Sequence, residues 1–299
     1  MGPAPVDLSP WIRKGRMYSE LFSKIYDAFG WNYYPEAFAQ QLIEWIALQE
    51  IRDGRTIKNC LDLGCGTGIL CGILQEQGIA SVGVDLSPAM IGIAREHYPE
   101  VLFYTGDMTV FQPDSGPAHF DLVTCTGDAV NHLPTGEDIS RMFRNVHALL
   151  RPGGSFVFDL LHPGEVSDDE PIPYEYSETV HAQFRMLRGD EGKVTLQIRV
   201  YENGEFRFEE QICERIYDPA LIEDLLVKAG FDEIRITHHL LEDAGNEAAT
   251  WYVTCKRPIE GALGRADRKS SRKSARMGRS EEPSNEPRVS TPASEKENK

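Results

Sequence analysis

The spacing of hydrophobic and polar positions changes along this chain. Residues 11–50 carry apolar residues at helical intervals, interrupted near Gly30 and resumed after Pro35, which predicts amphipathic helices. From Lys58 onward, short apolar runs alternate with helical stretches, as in successive βαβ units. The pattern therefore predicts an α/β fold of Rossmann-like type, with a mostly parallel sheet and helices on both faces.

The predicted elements follow one another closely between the two ends of this region. Strands are expected at residues 58–63, 80–85, 101–105, 119–125 and 155–161, and helices at 68–77, after Ser87-Pro88 and at 136–150. A helix at 219–229 and two strands near 231–238 and 249–256 complete the series.

An antiparallel insertion interrupts the parallel rhythm at about residues 162–217. Polar and apolar residues alternate over 178–217, and Asn203-Gly204 lies between two such runs, which is a strong β-hairpin signal. Beyond Pro258 the chain has hardly any large apolar residue, so we expect disorder there. The predicted organisation is an N-terminal lead and helical segment at 1–50, a main domain at 51–257 and a tail at 258–299.

Composition narrows the classes of function. Residues 260–299 carry a net charge of +3 within a chain of net charge −16, so the remainder carries −19. Such an acidic body repels phosphate backbones and disfavours a nucleic-acid partner, whereas a neutral or cationic small molecule is accepted more easily. The sequence has neither an apolar run of membrane-spanning length nor an N-terminal signal pattern.

Cysteine usage points to a reducing compartment. The six cysteines are scattered, no CxxC pair is present, and no Cys/His cluster has the spacing of zinc ligands. We therefore expect reduced thiols in a cytoplasmic protein without a metal site. A homodimer is left open by the sequence.

The sharpest motif is the segment LDLGCGTG at residues 61–68, where a strand turns into a helix. Its glycines allow a tight turn and a close approach of a ligand to the main chain. Asp85 ends the next strand and could accept hydrogen bonds from both ribose hydroxyls of a nucleoside. Dinucleotide sites use GxGxxG, but the last position here is Ile69, and Asp62 would lie poorly beside a pyrophosphate.

With VDLSPAM, Gly106-Asp107-Met108, FDLVTC and LLRPGG, this motif resembles the signature series of class I S-adenosylmethionine (SAM)-dependent methyltransferases over about residues 15–256. The resemblance implies a seven-stranded sheet with a reversed last strand and SAM as cofactor. It also implies binding roles: a loop that cradles the methionine end, a ribose ligand, and residues around the adenine. The implied cofactor-binding positions are Asp62, Gly64, Cys65, Gly66, Gly68, Asp85, Leu86, Asp107, Met108 and Thr126.

A narrower resemblance concerns the N-terminal helical segment. Tyr18 and Tyr26-Asp27 are similar to the Tyr-x₇-Tyr-Asp opening of a small-molecule subgroup that includes sugar N-methyltransferases, whose tyrosines fold over the cofactor. The two tyrosines are eight residues apart, which still places them on one helix face, and aromatic faces attract a sulfonium cation. The alternative is an aromatic stripe that packs in the core.

Two further segments supply candidates for catalysis and for acceptor binding. Asp128 and His132 follow the fourth strand, where ligands bind in open α/β sheets, and could orient or deprotonate a nucleophile. The alternative is a helix-capping Asp and a packing His. The insertion is expected to cover the acceptor through Tyr174, Tyr176, His181 and Arg199, any of which could instead be a surface residue.

The function expected from the sequence is direct methyl transfer from SAM to an oxygen or nitrogen of a small molecule. An NAD-dependent oxidoreductase and a non-catalytic SAM-binding partner subunit are the alternatives. The basic run from Arg265 to Arg279 is expected to be a solvated tail.

Overall fold

A computed structural model describes residues 22–23, 26–27, 33–114, 119–165, 171–175, 179–241 and 250–259. Several sequence-based predictions lie outside these residues: the N-terminal lead, Tyr18, Tyr176 and the tail beyond Ile259.

Five helices and eleven strands are described. The helices are α1 Tyr33–Asp53, α2 Ile69–Glu76, α3 Pro88–His97, α4 Gly136–Leu149 and α5 Pro219–Ala229. The strands are β1 Asn59–Leu63, β2 Ala80–Asp85, β3 Leu102–Thr105, β4 Phe120–Cys125, β5 Leu150–Leu161, β6 Ile172–Glu175, β7 Val180–Arg188, β8 Lys193–Glu202, β9 Glu205–Arg215, β10 Asp232–Thr237 and β11 Thr250–Lys256.

The main sheet has seven strands in the order β10-β11-β5-β4-β1-β2-β3. Strands β1 to β5 pair in parallel, whereas β11 is antiparallel to both β5 and β10. The predicted Rossmann-like sheet with its reversed last strand is therefore confirmed. Because β1 lies between β2 and β4, the loops that leave these three strands meet at one edge of the sheet, where α/β folds bind ligands.

The insertion forms a separate antiparallel sheet in the order β6-β7-β8-β9. Asn203 and Gly204 connect β8 to β9 with φ angles of 53° and 76°, the left-handed pair that a two-residue hairpin turn requires. The hairpin predicted from Asn203-Gly204 is confirmed. Along β8, Leu196, Ile198 and Val200 share one face, and Phe22 and Tyr26 pack in the same apolar cluster as that face.

The largest core lies between the main sheet and the helix α4. Phe143 of α4 meets Phe156 and Phe158 of β5 at ring-centroid distances of 5.9 and 5.5 Å, and all three side chains are fully buried. Burying a phenylalanine contributes about 1.5–3 kcal/mol. This packing fixes β5 inside the sheet, between β11 and β4 and beside the loop that follows β4.

The helix α1 begins earlier than the sequence pattern indicates. We expected the helix to resume after Pro35, yet it begins at Tyr33. Proline is tolerated in the first helical turn, because its missing N–H would have no partner there. Among the described helices, none combines the length and the hydrophobicity that a membrane span needs.

Candidate active site

A cavity of about 530 Å³ opens at the carboxyl ends of β1, β2 and β4. This volume is in the range of small-molecule sites. The lining includes the glycine-rich loop after β1, the end of β2, the turn after β4, one face of the second sheet, and residues of the N-terminal segment and of α1.

The glycine-rich loop depends on three left-handed residues. Gly64, Gly66 and Gly68 have φ angles of 77°, 53° and 84°, which other residues adopt only with strain. A Cβ at Gly64 would lie 2.7 Å from Ala129 Cβ, and one at Gly68 would lie 2.7 Å from the Phe103 ring. A Cβ at Gly66 would instead meet no atom within 4 Å. Gly64 and Gly68 thus permit close packing, while Gly66 leaves its main chain open to the cavity.

Asp62 is a buried acid at the base of this loop. Its carboxylate accepts a hydrogen bond from Thr124 Oγ1 at 2.7 Å and a weaker one from Cys71 Sγ at 3.9 Å. Burial raises the pKa of Asp62 to about 7, and the nearby Asp85 and Asp159 add to the rise. A cation bound beside Asp62 would restore the charged form, because opposite charges favour ionisation.

Asp85 links the loop to the end of β2. Its two oxygens accept hydrogen bonds from Gly66 N at 3.0 Å and from Ser87 N at 2.8 Å. Burial raises the pKa of Asp85, and these backbone donors oppose that rise. Each carboxylate oxygen can accept a second bond, so Asp85, which lines the cavity, keeps capacity for a ligand hydroxyl.

The other predicted cofactor positions divide into two groups. Cys65, Leu86, Met108 and Thr126 line the cavity. Asp107 does not; its Oδ1 accepts from Thr109 N and Oγ1, both at 2.8 Å, which stabilises the loop that carries Met108.

The turn after β4 brings Asp128 to the cavity wall in a left-handed conformation, with φ 59° and ψ 16°. Asp159 of β5 holds this turn: its carboxylate accepts from Gly127 N and Asp128 N, both at 2.9 Å, and from Tyr34 Oη at 2.5 Å. Burial raises the pKa of Asp159, while the three donors lower it.

His132 ends the same segment and also lines the cavity. Its Nδ1 lies 3.5 Å from the Cys213 carbonyl oxygen, and its Nε2 lies 3.9 Å from Glu214 Oε1. A carbonyl only accepts, so this contact favours the tautomer with hydrogen on Nδ1. Burial lowers the pKa of His132 to about 4, which keeps the imidazole neutral near pH 7.

The N-terminal segment reaches the cavity through Tyr26, which packs edge-to-face on Phe22 with ring centroids 6.0 Å apart. The neighbouring Asp27 ties the segment to the glycine-rich loop, because Thr67 Oγ1 donates to Asp27 Oδ1 at 2.8 Å. Burial, and then the surrounding acids, raise the pKa of the Tyr26 phenol. Tyr26 therefore both lines the cavity and packs in an apolar cluster, so the lid and the core-packing alternative both stay predictions.

The second sheet presents residues other than those proposed from its sequence. Leu196, Ile212 and Glu214 line the cavity, whereas His181 and Arg199 do not. His181 stacks on Tyr201 at 5.2 Å, and Arg199 pairs with Glu209 at 2.8 Å, on the opposite face of the sheet. Tyr174 lies in β6, where its backbone is in register with Ala182 of β7.

Sequence reasoning missed Tyr34, Asp159 and Glu214. The alternation of side chains along β8 and β9 is the signal that could have identified Glu214. Leu196 is opposite Ile212 in the register, and residue 214 lies on the same face as residue 212. Nothing in the sequence signals that Tyr34 meets Asp159, because this contact joins residues 125 positions apart.

The described residues that line the cavity include four carboxylates and neither Lys nor Arg. The acids are Asp62, Asp85, Asp128 and Glu214. Because these acids lie close together without a basic residue in the described lining, the cavity favours ligands with positive charge and opposes anionic ones.

Comparisons with known proteins agree with this geometry. The profile of a family described as a methyltransferase domain matches residues 60–154, which include the glycine-rich loop and the turn after β4. This match shows a methyltransferase domain in the chain. The match and the methyltransferase relatives support an enzyme that uses SAM.

Individual relatives extend beyond this domain. A putative methyltransferase, YqeM, from Bacillus subtilis is 28% identical over 225 residues, covering 72% of this chain and 87% of the relative. A ubiquinone biosynthesis O-methyltransferase from Coxiella burnetii is 30% identical over 138 residues, with 44% of this chain and 56% of the relative covered. A crystal structure of a SAM-dependent methyltransferase from Clostridium acetobutylicum has a TM-score of 0.63 at 23% identity, covering 72% of this chain and 90% of that one, and shows the same fold.

The residues present fit SAM. The open space over Gly66 admits a ligand to the main chain, and the retained acceptor capacity of Asp85 suits ribose hydroxyls. Asp62 supplies an acid whose burial calls for a cation, such as the ammonium group of a methionine moiety.

Proposed function

We propose that this enzyme transfers a methyl group from SAM to an oxygen or nitrogen of a small neutral or cationic molecule, by direct in-line displacement. The observation that carries the proposal is a single cavity whose lining combines two sets of residues. One set is the glycine-rich loop with Asp62 and Asp85, and the other is the turn after β4 with the second sheet.

SAM would supply an activated methyl group on a sulfonium, so the protein needs no covalent intermediate of its own. Asp62 and the main chain of Gly64 and Gly66 would hold its methionine end, and Asp85 would hold its ribose. Leu86 and Met108 would pack at the adenine. The remaining task of the protein is to place an acceptor atom, and such positioning can lower a barrier by about 7–11 kcal/mol.

The charge of the cavity supports the choice of acceptor. SAM has a sulfonium and an ammonium, offset by one carboxylate, so it carries only one net positive charge. The described lining carries four acids, of which Asp128 belongs to the turn after β4 and Glu214 to the second sheet. An acceptor with a negative group would add to this excess, whereas a neutral or cationic one would not.

At the acceptor end, we propose that Asp128 and His132 orient the incoming group. His132 has a pKa of about 4, which makes it a weak base near pH 7 but a competent hydrogen-bond acceptor through Nε2. Its role is then to hold an acceptor O–H or N–H. Leu196 and Ile212 would pack against the apolar part of the molecule.

The N-terminal segment would close over the ligands. Tyr26 lines the cavity, and its ring offers a face to a sulfonium cation, as the lid hypothesis requires.

The cysteines of the chain are all free, which is in keeping with the proposed cytoplasmic location.

Calorimetry with SAM, S-adenosylhomocysteine and NAD tests the cofactor assignment. We expect micromolar binding of the first two ligands and none of NAD. Binding of NAD alone would contradict the proposal and favour an oxidoreductase.

A substitution localises that binding. Asp85→Ala should weaken SAM binding by about 1.5–3 kcal/mol, because hydrogen bonds to a charged group are lost. Asp224→Ala is the control, since Asp224 pairs with Lys228 on the exposed surface of α5 and does not line the cavity. If the two variants lose the same affinity, the ribose role of Asp85 is wrong.

Transfer of labelled methyl to a panel of small alcohols, phenols and amines then decides whether the enzyme methylates oxygen or nitrogen.

A further inference from the structure

Asp159 lies behind the cavity wall, next to the turn that faces the acceptor. Its side chain is fully buried, and it does not line the cavity itself. Nevertheless three donors from two distant parts of the chain converge on its carboxylate: Tyr34 of α1, and the backbone of Gly127 and Asp128.

The backbone at Gly127 and Asp128 has the geometry of an anion-binding nest. The two residues form a turn with φ angles of 71° and 59°, and their successive N–H groups both point at Asp159. In this protein the nest is filled by an internal anion, the Asp159 carboxylate, at 2.9 Å from each nitrogen.

The same contacts maintain a conformation that Asp128 would otherwise leave. A left-handed aspartate is strained, and such strain persists only where the surroundings determine it. The two hydrogen bonds to the buried Asp159 carboxylate hold Asp128 in this conformation. They also occupy the nest, so an external carboxylate or phosphate finds no vacant N–H pair there.

Tyr34 connects this arrangement to the ligands. Its ring lines the cavity, while its hydroxyl donates to Asp159 Oδ2. A molecule that packs against Tyr34 therefore contacts the residue that orients the Asp159 carboxylate. Phe38 and Tyr252 extend the stack behind Tyr34, with successive centroid distances of 6.4 and 6.0 Å, which limits the movement of the ring.

We infer that Asp159 is a positioning residue of this enzyme: held by Tyr34, its carboxylate fills the Gly127–Asp128 nest and thereby aims Asp128 at the acceptor. The inference rests on the proposed function, because that function assigns the acceptor to this turn.

Chemical rescue tests the inference. Asp159→Ala vacates the nest, and formate is small enough to replace the missing carboxylate. We expect the variant to bind S-adenosylhomocysteine roughly tenfold more weakly, since Thr126 to Asp128 line the cavity. Formate, but not chloride at the same ionic strength, should restore most of the affinity. Wild-type protein should not respond to either salt.

A second readout needs no ligand. The amides of Gly127 and Asp128 should exchange slowly with solvent in the wild-type protein, rapidly in Asp159→Ala, and slowly again with formate. Leu160→Ala is the matched control, because this neighbouring side chain in β5 is fully buried but has no polar contact to restore. Any loss of S-adenosylhomocysteine affinity or of amide protection in Leu160→Ala should not respond to formate.

The outcomes separate the two proposals. Failure of wild-type protein to bind S-adenosylhomocysteine contradicts the proposed function, while amide exchange still tests Asp159. Normal affinity and slow exchange in Asp159→Ala, or recovery with chloride equal to that with formate, overturn the inference. If Asp159→Ala does not fold, Asp159→Asn takes its place: its amide keeps the volume but turns a donor toward the nest, so one of the two amides should lose protection.

Discussion

Gly66 N donates a hydrogen bond to Asp85 Oδ2 at 3.0 Å, which joins the glycine-rich loop after β1 to the end of β2. This bond uses one acceptor site of the carboxylate and leaves the main chain of Gly66 beside open space. The two residues that the sequence singles out for the methionine and ribose ends of SAM are thus one connected unit.

A methyl group at residue 66 should obstruct SAM binding at the glycine-rich loop. Gly66→Ala places a Cβ in the cavity, so we expect SAM affinity to fall at least tenfold in calorimetry. Gly78→Ala is the control: Gly78 has a φ of 81° and open space around it, but it does not line the cavity. Both variants should lose about 1 kcal/mol of stability through backbone strain. Equal SAM affinity in the two variants would show that the space over Gly66 is not used.

The raised pKa of Asp62 predicts a pH dependence of SAM binding. Below its pKa of about 7, Asp62 is increasingly protonated and no longer attracts a cation. Affinity should therefore fall as pH falls from 7.5 to 5.5, by at most about tenfold per unit. Asp62→Asn should bind weakly with a flatter profile. Calorimetry across this pH range measures the SAM affinity of wild-type protein and of Asp62→Asn. If the two affinities change in parallel with pH, the pH dependence does not come from Asp62.

The buried imidazole of His132 makes stability depend on pH in the opposite sense to a salt-bridged histidine. Its pKa is about 4 when folded and about 6.5 when unfolded, so between these values the unfolded chain binds the extra proton. Stability from this group is present above pH 6.5 and is lost as pH falls toward 4.

Urea unfolding of wild-type protein and His132→Gln measures that effect. From pH 7.5 to pH 5 the wild-type free energy of unfolding should fall by roughly 2 kcal/mol relative to the variant, since each pH unit below 6.5 costs about 1.4 kcal/mol. A constant difference between the two proteins would mean that His132 accepts a proton in the folded state.

The contact between Thr67 and Asp27 should slow ligand release. Thr67→Val keeps the shape of the side chain but removes the hydroxyl that donates to Asp27 Oδ1. We expect SAM to dissociate about fivefold faster, because a partly exposed bond of this kind is worth about 1 kcal/mol. Thr135→Val removes a comparable Thr–Asp bond at the exposed start of α4 and should not change the rate. Stopped-flow fluorescence measures the SAM dissociation rate of each variant. Equal rates for Thr67→Val and Thr135→Val would show that the Thr67–Asp27 contact does not slow ligand release.

The sequence alone determined the features that depend on local geometry. Left-handed positions favour glycine, which marks the loop at Gly64, Gly66 and Gly68 and the hairpin at Asn203-Gly204. Strand and helix periods place β1 to β5 and the helices between them within a few residues. The glycine-rich loop, Asp62 and Asp85 follow from the same reading because they lie at the ends of these strands.

Only the tertiary structure decided which side chains form the acceptor end. The face of β8 and β9 that meets the cavity depends on how the second sheet docks, so Glu214 lines the cavity while His181 and Arg199 lie on the other face. The meeting of Tyr34 with Asp159 likewise depends on packing between segments far apart in sequence. Periodicity assigns residues to faces, but burial of those faces against one another decides which of them share a site.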